Sequence, residues 1–167
     1  MTRFTASAAV LLATVAALLA AVPASAATTQ NFQATFVDIY SQCPIHPPTL
    51  VFCGDGTVAG LGQASSTASL TGPLVPIPGT DCVALTAVRT ITLAGGDSLT
   101  LTESGTKCPP SESAGQNAQG DPYTVAKMFT IAGGTGIFAG ATGSGTDVNR
   151  SAGNSQVSVI SGTITLT

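Results

Sequence analysis

Residues 83–103 carry the sequence VALTAVRTITLAGGDSLTLTE, and this stretch decides the fold. Apolar residues and Arg89 alternate with Thr and Val before the glycines, and Leu alternates with Thr and Ser after them. A period of two residues is typical of a β-strand with one buried face and one face toward water. Gly95 and Gly96 tolerate the left-handed conformation that a tight loop requires. The stretch therefore predicts an antiparallel hairpin.

The register of this hairpin follows from its two faces. A three-residue loop of residues 95–97 pairs Leu93 with Leu99, whereas a slip of one residue would expose every leucine. Two pairs further along the same face, this register places Arg89 directly opposite Glu103. Directly opposed residues have Cβ atoms about 5 Å apart. We therefore predict a salt bridge between Arg89 and Glu103 inside the fold.

The rest of the chain also has the pattern of short β-strands separated by turns. Runs rich in Val, Ile, Thr and Phe are separated by clusters of Gly, Pro, Asn and Asp. Seven or eight antiparallel strands in one domain predict an all-β fold, either a closed eight-stranded barrel or, as the alternative, a β-sandwich. The predicted strands are Asn31–Tyr40, Leu50–Phe52, Gly56–Leu70, Cys82–Leu93, Ser98–Ser104, Tyr123–Ala132, Ile137–Val148 and Gln156–Leu166.

Length and composition exclude several classes of protein. The chain has 167 residues, of which 8% are charged, with 19 glycines and 10 prolines. This composition fits neither a coiled coil nor a charge-driven disordered tail. Removing Arg3 with the leader described next leaves four of the five basic residues against eight acidic ones, so phosphate backbones would repel the chain. We expect one domain over residues 27–167 and no nucleic-acid partner.

Residues 1–26 have the three regions of a secretory signal peptide. Arg3 lies in a short basic start, residues 8–22 are apolar apart from Thr14, and the small residues at positions 24–26 form a cleavage site. The apolar run of about 15 residues is shorter than the roughly 20 that span a bilayer. The sequence therefore predicts cleavage after residue 26, secretion to the extracellular side, and no membrane association after cleavage.

The four cysteines, Cys43, Cys53, Cys82 and Cys108, all lie in the predicted mature chain. An even number of cysteines in a small exported domain indicates two disulfides. Three pairings are open. We favour Cys43–Cys53, which closes a proline-rich loop, together with Cys82–Cys108, which closes the segment that contains the hairpin. A zinc site needs closely spaced pairs of ligands, and the wide spacing here predicts no metal site.

Residues 133–145, GGTGIFAGATGSG, contain a spacing found in nucleotide-binding loops. The dinucleotide fingerprint requires a helix through its third glycine and an acidic residue about 20 positions later. A helix here would have to run through Gly140, Gly143 and Gly145, and only 22 residues follow. We interpret the glycines instead as a tight turn and a sharply coiled strand that bends at a barrel corner.

The same stretch resembles the glycine-rich hairpin of the allene oxide cyclase and dirigent barrel superfamily. Residues 53–62, CGDGTVAGLG, are similar to a companion segment in small secreted actinobacterial members. With the surroundings of Cys82 and Cys108, the similarity covers much of residues 43–146. The resemblance implies an eight-stranded antiparallel barrel with a central cavity, often assembled as a homotrimer, that uses no metal or organic cofactor. Plant members cyclise an epoxide fatty acid or guide the coupling of phenoxy radicals. The matching motifs are structural glycines, so they carry no active-site residue over to this chain.

Candidate functional residues are polar side chains in phase with apolar strand faces. If these faces line a barrel interior, the polar groups would surround a small hydrophobic ligand. The alternative places them at strand ends, in water. His46, alone in a proline-rich loop, is interpreted as an exposed residue, and the catalytic residues stay unknown. The predicted ligand-binding residues are Asp38, Tyr40, Arg89, Glu103, Tyr123 and Lys127.

The sequence thus predicts a secreted, disulfide-stapled β-barrel with a cavity for a small hydrophobic ligand, which could act as a cofactor-free cyclase, isomerase or coupling guide. The alternative is a non-enzymatic secreted binding or surface protein that uses only the barrel exterior. The interior discriminates between them. An open interior lined by Asp38, Arg89, Glu103 and Lys127 favours the cavity, and an interior filled by Leu, Ile and Phe favours the surface function.

Overall fold

The computed structural model describes residues 26–40, 43, 51–109, 123–152 and 154–167. His46 and the predicted leader, apart from its last residue, lie outside the described residues. The described ranges contain nine strands and a 3-10 helix at Gly136–Phe138. The strands are β1 Thr28–Ile39, β2 Val51–Val58, β3 Gly62–Leu70, β4 Val75–Pro76, β5 Val83–Leu93, β6 Ser98–Cys108, β7 Tyr123–Gly134, β8 Thr142–Ala152 and β9 Ser155–Leu166.

Eight of the strands form a closed antiparallel barrel. Each barrel strand pairs with the next one along the chain, β9 pairs with β1, and β3 pairs with β5 so that the sheet closes on itself. The short strand β4 lies outside the barrel and pairs only with β5. The predicted all-β class and the closed eight-stranded barrel are confirmed. Closure leaves the barrel strands without unpaired edges, which is how such folds avoid edge-to-edge association.

The β5–β6 hairpin has the predicted faces but a different register. Arg89 pairs with Leu101 rather than with Glu103, and the whole ladder is shifted by two residues. The N–H of Leu93 donates to the carbonyl oxygen of Asp97, so the loop again has three residues, but they are residues 94–96, and Gly96 has a φ of 93°. The predicted direct pairing of Arg89 with Glu103 was wrong. A shift of the register by an even number of residues keeps every side chain on the same face of the sheet. Burial alone therefore does not separate the two registers.

Two other parts of the chain differ from the predicted strands. The predicted runs at residues 50–52 and 56–70 are one hairpin, β2 and β3, which turns at residues 59–61. The strand predicted to begin at Ile137 begins at Thr142, because the 3-10 helix occupies the preceding residues. In both places glycines interrupt the alternation of side chains by which a strand is recognised.

One end of the barrel, called here the closed end, is filled by apolar side chains. Phe138 of the 3-10 helix is buried in this core, and the helix therefore closes that end. The core cluster consists of Phe32, Ala34, Phe36, Val58, Ala64, Ile91, Leu93, Leu99, Leu101, Phe129, Phe138, Ala141, Ile160 and Ile164.

Interior glycines make room for the aromatic part of this core. Gly145 of β8 pairs with Gly162 of β9, and their outer neighbours in the register are Phe129 and Phe32. The two phenyl rings meet edge to face with their centroids 6.3 Å apart. A Cβ atom at Gly145 would lie 2.7 Å from the ring of Phe129. The glycine pair therefore allows two large rings to share one layer of a narrow barrel.

Both predicted disulfides are confirmed. The sulfur atoms of Cys43 and Cys53 are 2.16 Å apart, and those of Cys82 and Cys108 are 2.03 Å apart. The second bridge joins the start of β5 to the end of β6, and the first ties the residues after β1 to β2. Both bridges lie toward the end of the barrel opposite the closed end, which is called the mouth below.

Candidate functional site

Arg89 lies at the centre of a buried charge cluster between the apolar core and the mouth. Its guanidinium donates to three carboxylates, at 3.2 Å from Nε to Glu103, 3.0 Å from Nη1 to Asp38 and 3.2 Å from Nη2 to Asp147. Nη1 also donates to Ser66, and Nη2 donates to Ser158. An arginine has five N–H donors, and all five are matched by these five contacts. The side chain is completely buried.

Lys127 of β7 completes the cluster. Its ammonium group bridges Glu103 and Asp147, and the distance from Nζ to the Asp147 carboxylate is 2.7 Å. Lys127 is 6% exposed, and each of the three carboxylate side chains is fully buried. The charge cluster therefore contains three acids and two bases, so it carries one net negative charge when every group is ionised. Burying a charge that has no opposite partner lowers stability. The stability of the fold therefore depends on which groups of the cluster carry a proton.

Neutral side chains of β8 and β9 surround the two aspartates. Gln156 and Ser158 donate to the same oxygen of Asp38, at 3.2 and 2.8 Å. With its amide nitrogen directed at the Asp147 carboxylate, Asn149 donates to that group at 3.1 Å. Within the described residues, the second oxygen of Asp38 has no hydrogen-bond partner. The carboxylate of Asp38 is therefore held firmly at one oxygen only.

The position of Asp38 depends on a glycine in the neighbouring strand. Asp38 pairs with Gly54 of β2, which in turn pairs with Ser66 of β3. A Cβ atom at residue 54 would lie 2.6 Å from the Cα atom of Asp38. The missing side chain lets β1 and β2 approach closely. On the far side of β2, Ser66 then shares the guanidinium of Arg89 with Asp38.

Burial and charge shift the pKa values of two members of the cluster. Burial by itself lowers the pKa of Arg89, but the carboxylates of Asp147, Glu103 and Asp38 outweigh burial and raise it above its ordinary value. Burial raises the pKa of Glu103 above its ordinary value, although Arg89 and Lys127 act in the opposite direction. Arg89 therefore stays charged, and a proton on Glu103 would make the cluster electrically neutral.

The substitution Glu103→Gln should change how stability depends on pH. The pKa of Glu103 is higher in the folded than in the unfolded chain. Its contribution to the free energy of unfolding is therefore fully present below the unfolded pKa of about 4.3, and is lost as the pH rises through the folded pKa. The glutamine variant has no such proton to lose. Its free energy of unfolding should therefore fall less than that of the wild type between about pH 4 and pH 8, by about 1.4 kcal/mol for each pH unit by which the folded pKa of Glu103 exceeds the unfolded one. Urea denaturation at both pH values measures this difference.

The exposed carboxylate of Asp81 provides the control for this experiment. Asp81→Asn should leave the pH profile of the wild type almost unchanged, because it removes a carboxyl group that lies outside the charge cluster. A Glu103→Gln variant whose stability falls more steeply with rising pH than that of the wild type would contradict the raised pKa.

A cavity of about 60 Å³ opens at the mouth, next to the charge cluster. Its wall is mainly apolar, and its polar lining consists of two lysines, one tyrosine, one serine and two amides. Lys127 is the one member of the charge cluster that lines it. The lining residues are Phe52, Ala68, Ser69, Leu70, Leu74, Leu85, Ala87, Lys107, Tyr123, Val125, Lys127, Asn149 and Gln156.

The structure brings four of the six predicted ligand-binding residues together. Asp38, Arg89, Glu103 and Lys127 form the charge cluster, and they contact one another rather than an open central space. Glu103 therefore does contact Arg89, but from the diagonal position in the register. The interior is therefore filled, by an apolar core at the closed end and by the charge cluster toward the mouth, rather than open around these four residues as the cavity prediction required.

The two predicted tyrosines lie nearer the surface. Tyr40 is 41% exposed and packs edge to face against Phe52, with ring centroids 5.9 Å apart. Tyr123 lines the cavity, and the ammonium group of Lys107 lies 3.9 Å from the centre of its ring. Tyr123 is therefore at the predicted interior face, whereas Tyr40 belongs to the rim outside it.

Sequence reasoning missed the polar residues of β3, β8 and β9. Counting back in steps of two from Ile164 and Ile160, which are buried, reaches Ser158 and Gln156. The alternation along β9 therefore predicts that these two residues also face the interior. Asp147 and Asn149 had a weaker signal, because β8 has polar residues on its interior face and exposes Val148. The missed residues of the site are Ser66, Asp147, Asn149, Gln156 and Ser158.

Comparison with known proteins adds no relative: no protein-family model, curated protein or solved structure matches the chain. The fold and the site therefore define its class, a closed eight-stranded antiparallel barrel with a buried charge cluster beneath an apolar mouth. In the described ranges no helix is long and apolar enough to cross a membrane. Those same residues include no group of three or more His, Cys, Asp or Glu side chains arranged to hold a metal ion.

Proposed function

We propose that the chain is an exported, disulfide-stapled barrel that binds a small hydrophobic ligand at its mouth. The observation that carries the proposal is the mainly apolar cavity whose lining includes the buried side chains of Lys127, Asn149 and Gln156. An apolar concavity with a few fixed polar groups is typical of small-molecule sites. The two disulfides support export, because such bridges persist in oxidising compartments.

The size of the cavity limits how the ligand binds. Pockets for drug-sized ligands have volumes of about 300–1,000 Å³, and the cavity here measures about 60 Å³. A ligand therefore inserts one ring or a short alkyl group, and the remainder lies against the lining residues Phe52, Leu74 and Tyr123, none of which is fully buried. The ligand-binding role predicted for Asp38, Arg89 and Glu103 becomes indirect, since Glu103 holds Lys127 and Arg89, itself paired with Asp38, holds Glu103.

The chemistry available at this site needs no cofactor. Lys127 is a cation whose partners, Glu103 and Asp147, fix it in one position beside the cavity. The two ion pairs occupy two of the three N–H donors of this ammonium group. Its third N–H would donate to an oxygen of a bound molecule on which negative charge develops, provided that the site excludes water. Such a site would suit an isomerase, a cyclase or a guide for coupling reactions, which the resemblance to the allene oxide cyclase and dirigent group also implies.

The proposal is tested by filling the cavity. Ala87, which is buried and lines the cavity, would become a larger apolar residue in Ala87→Leu. With the neutral probe N-phenyl-1-naphthylamine, we expect fluorescence enhancement with the wild type and at least about tenfold weaker binding to the variant. The control is Ala132→Leu, which adds the same side chain at an exposed position of β7.

Mass spectrometry of small molecules extracted from the purified mature protein identifies the natural ligand. Probe binding that survives Ala87→Leu, or no probe binding to the wild type, would overturn the mouth as the ligand site. The second candidate, a non-enzymatic protein that acts through its exterior, would then be preferred. An exposed apolar patch on the outside of the barrel supports that candidate.

A further inference from the structure

The outer face of the barrel carries an apolar patch on β1, β8 and β9. Outward-facing side chains of adjacent strands, Val37 of β1, Val157 and Val159 of β9, and Val148 of β8, are 50%, 43%, 49% and 36% exposed. These four residues are called here the valine patch. On the other side of the barrel, the outward positions of β5 and β6 are mostly Thr and Ser. Concentrated exposed apolar surface of this kind marks an interaction site.

Opposite charges flank the valine patch in one row of the sheet. Across β2, β1, β9 and β8 the register aligns Asp55, Val37, Val157 and Arg150 in that order. Asp55 and Arg150 are both exposed. Three strand spacings, about 14 Å, separate their backbones, so the two charges do not pair within one chain. Neither has an ion-pair partner among the described residues.

We propose that the valine patch is a two-fold interface between two copies of this chain. A two-fold axis parallel to the strands, between Val37 and Val157, turns the sheet of a second copy face to face with the first. Val157 of the second copy then lies over Val37, and Arg150 of the second copy lies over Asp55. The same contacts recur on the other side of the axis, as an isologous interface requires.

The row of Asp55, Val37, Val157 and Arg150 is the reason for choosing a second copy as the partner. A second copy offers an apolar centre and two opposite charges in the order that the first copy needs, so one rotation satisfies both ends of the row. An apolar centre with charged residues at its edge is also the usual anatomy of protein interfaces. A trimer or other ring would instead use two different surface patches on each copy.

A charge swap tests the interface with the full mature chain. Sedimentation velocity over a series of concentrations should show a monomer–dimer equilibrium for the wild type. Asp55→Arg alone places two arginines opposite each other at both edges, and should raise the dimer dissociation constant by at least about tenfold. Arg150→Asp alone should have a similar effect. The double variant Asp55→Arg with Arg150→Asp should return the constant to within about threefold of the wild type.

Asp81→Arg is the matched control, since it makes the same charge change at an exposed position outside the row. It should leave the dissociation constant unchanged, and circular dichroism confirms that each variant is folded. A wild type that is monomeric at every concentration, a trimer, or a double variant that stays as weak as the single ones would overturn the proposed interface.

Discussion

Arg89→Leu is expected to lower the free energy of unfolding by about 3–5 kcal/mol at neutral pH. The substitution removes the one side chain that donates to Asp38, Glu103 and Asp147 together. The charge of the cluster then changes from one net negative charge to two, with only Lys127 left to compensate. Urea denaturation followed by circular dichroism measures the loss of stability.

The effect of this substitution should depend strongly on pH. Arg89 lowers the pKa of the buried Glu103 carboxyl, so its removal raises that pKa further above the ordinary value. The stability of Arg89→Leu should therefore increase, relative to that of the wild type, as the pH falls from about 7 to about 5. A loss of stability that is small, or that does not change with pH, would contradict the central role of Arg89.

Two further variants keep the test informative if Arg89→Leu does not fold. Arg89→Lys retains the charge but has three donors in place of five, so its stability should be intermediate. Adding Glu103→Leu to Arg89→Leu returns the cluster to one net negative charge, and should recover part of the loss. Asp81→Leu is the control, because it also replaces a charged residue with leucine, and Asp81 is exposed and lies outside both the cluster and the proposed interface.

The contrast between Arg89 and Glu103 follows from the net charge of the cluster. Neutralising Glu103 brings the cluster to zero charge, whereas neutralising Arg89 adds to an existing excess of negative charge. A simple count gives three ion pairs for Arg89 and two for Glu103, and would predict a loss of stability for both substitutions. The two substitutions therefore measure whether net charge or the number of pairs governs the stability of this interior.

The faces of the strands were predictable from the sequence, but the register was not. Period two alone placed Asp38, Arg89, Glu103 and Lys127 on interior faces, because each is in phase with buried Phe, Leu or Ile. A shift of two residues preserves those faces, so the β5–β6 register depends on which residues form the loop. The last loop residue is Gly96, which has a positive φ, and not Asp97 as predicted.

The site was predictable only where polar residues follow apolar ones in the same strand. In β8 the interior positions are glycine and polar residues, including Gly145, Asp147 and Asn149, so no apolar stripe identifies the buried face. The register of β8 against β9 places them, and pairing between strands cannot be inferred from one strand's pattern. That Lys127, and not Arg89, reaches the cavity is likewise a result of the closed barrel.

Gly145→Ala is the second substitution with a large expected effect, about 3 kcal/mol of stability, at the upper end of overpacking costs. A methyl group at this position would lie 2.6 Å from the Cα atom of Gly162 and 2.7 Å from the ring of Phe129, and would also meet the carbonyl oxygen of Ser161. Two of these neighbours are backbone, which cannot move without breaking the β8–β9 ladder. Thermal and urea denaturation measure the loss.

Gly133→Ala is the matched control, because Gly133 is also a strand glycine and a methyl group there meets nothing within 4 Å. It should be neutral or slightly stabilising, since alanine restricts the unfolded chain more than glycine does. Adding Phe129→Leu to Gly145→Ala separates the two causes of the clash. Replacing the ring of Phe129 by leucine relieves only the side-chain contact and leaves the contacts with the backbone of Ser161 and Gly162. The double variant should therefore stay at least as unstable as Gly145→Ala. If Gly145→Ala is as stable as Gly133→Ala, the close approach of β8 and β9 at this glycine pair is wrong.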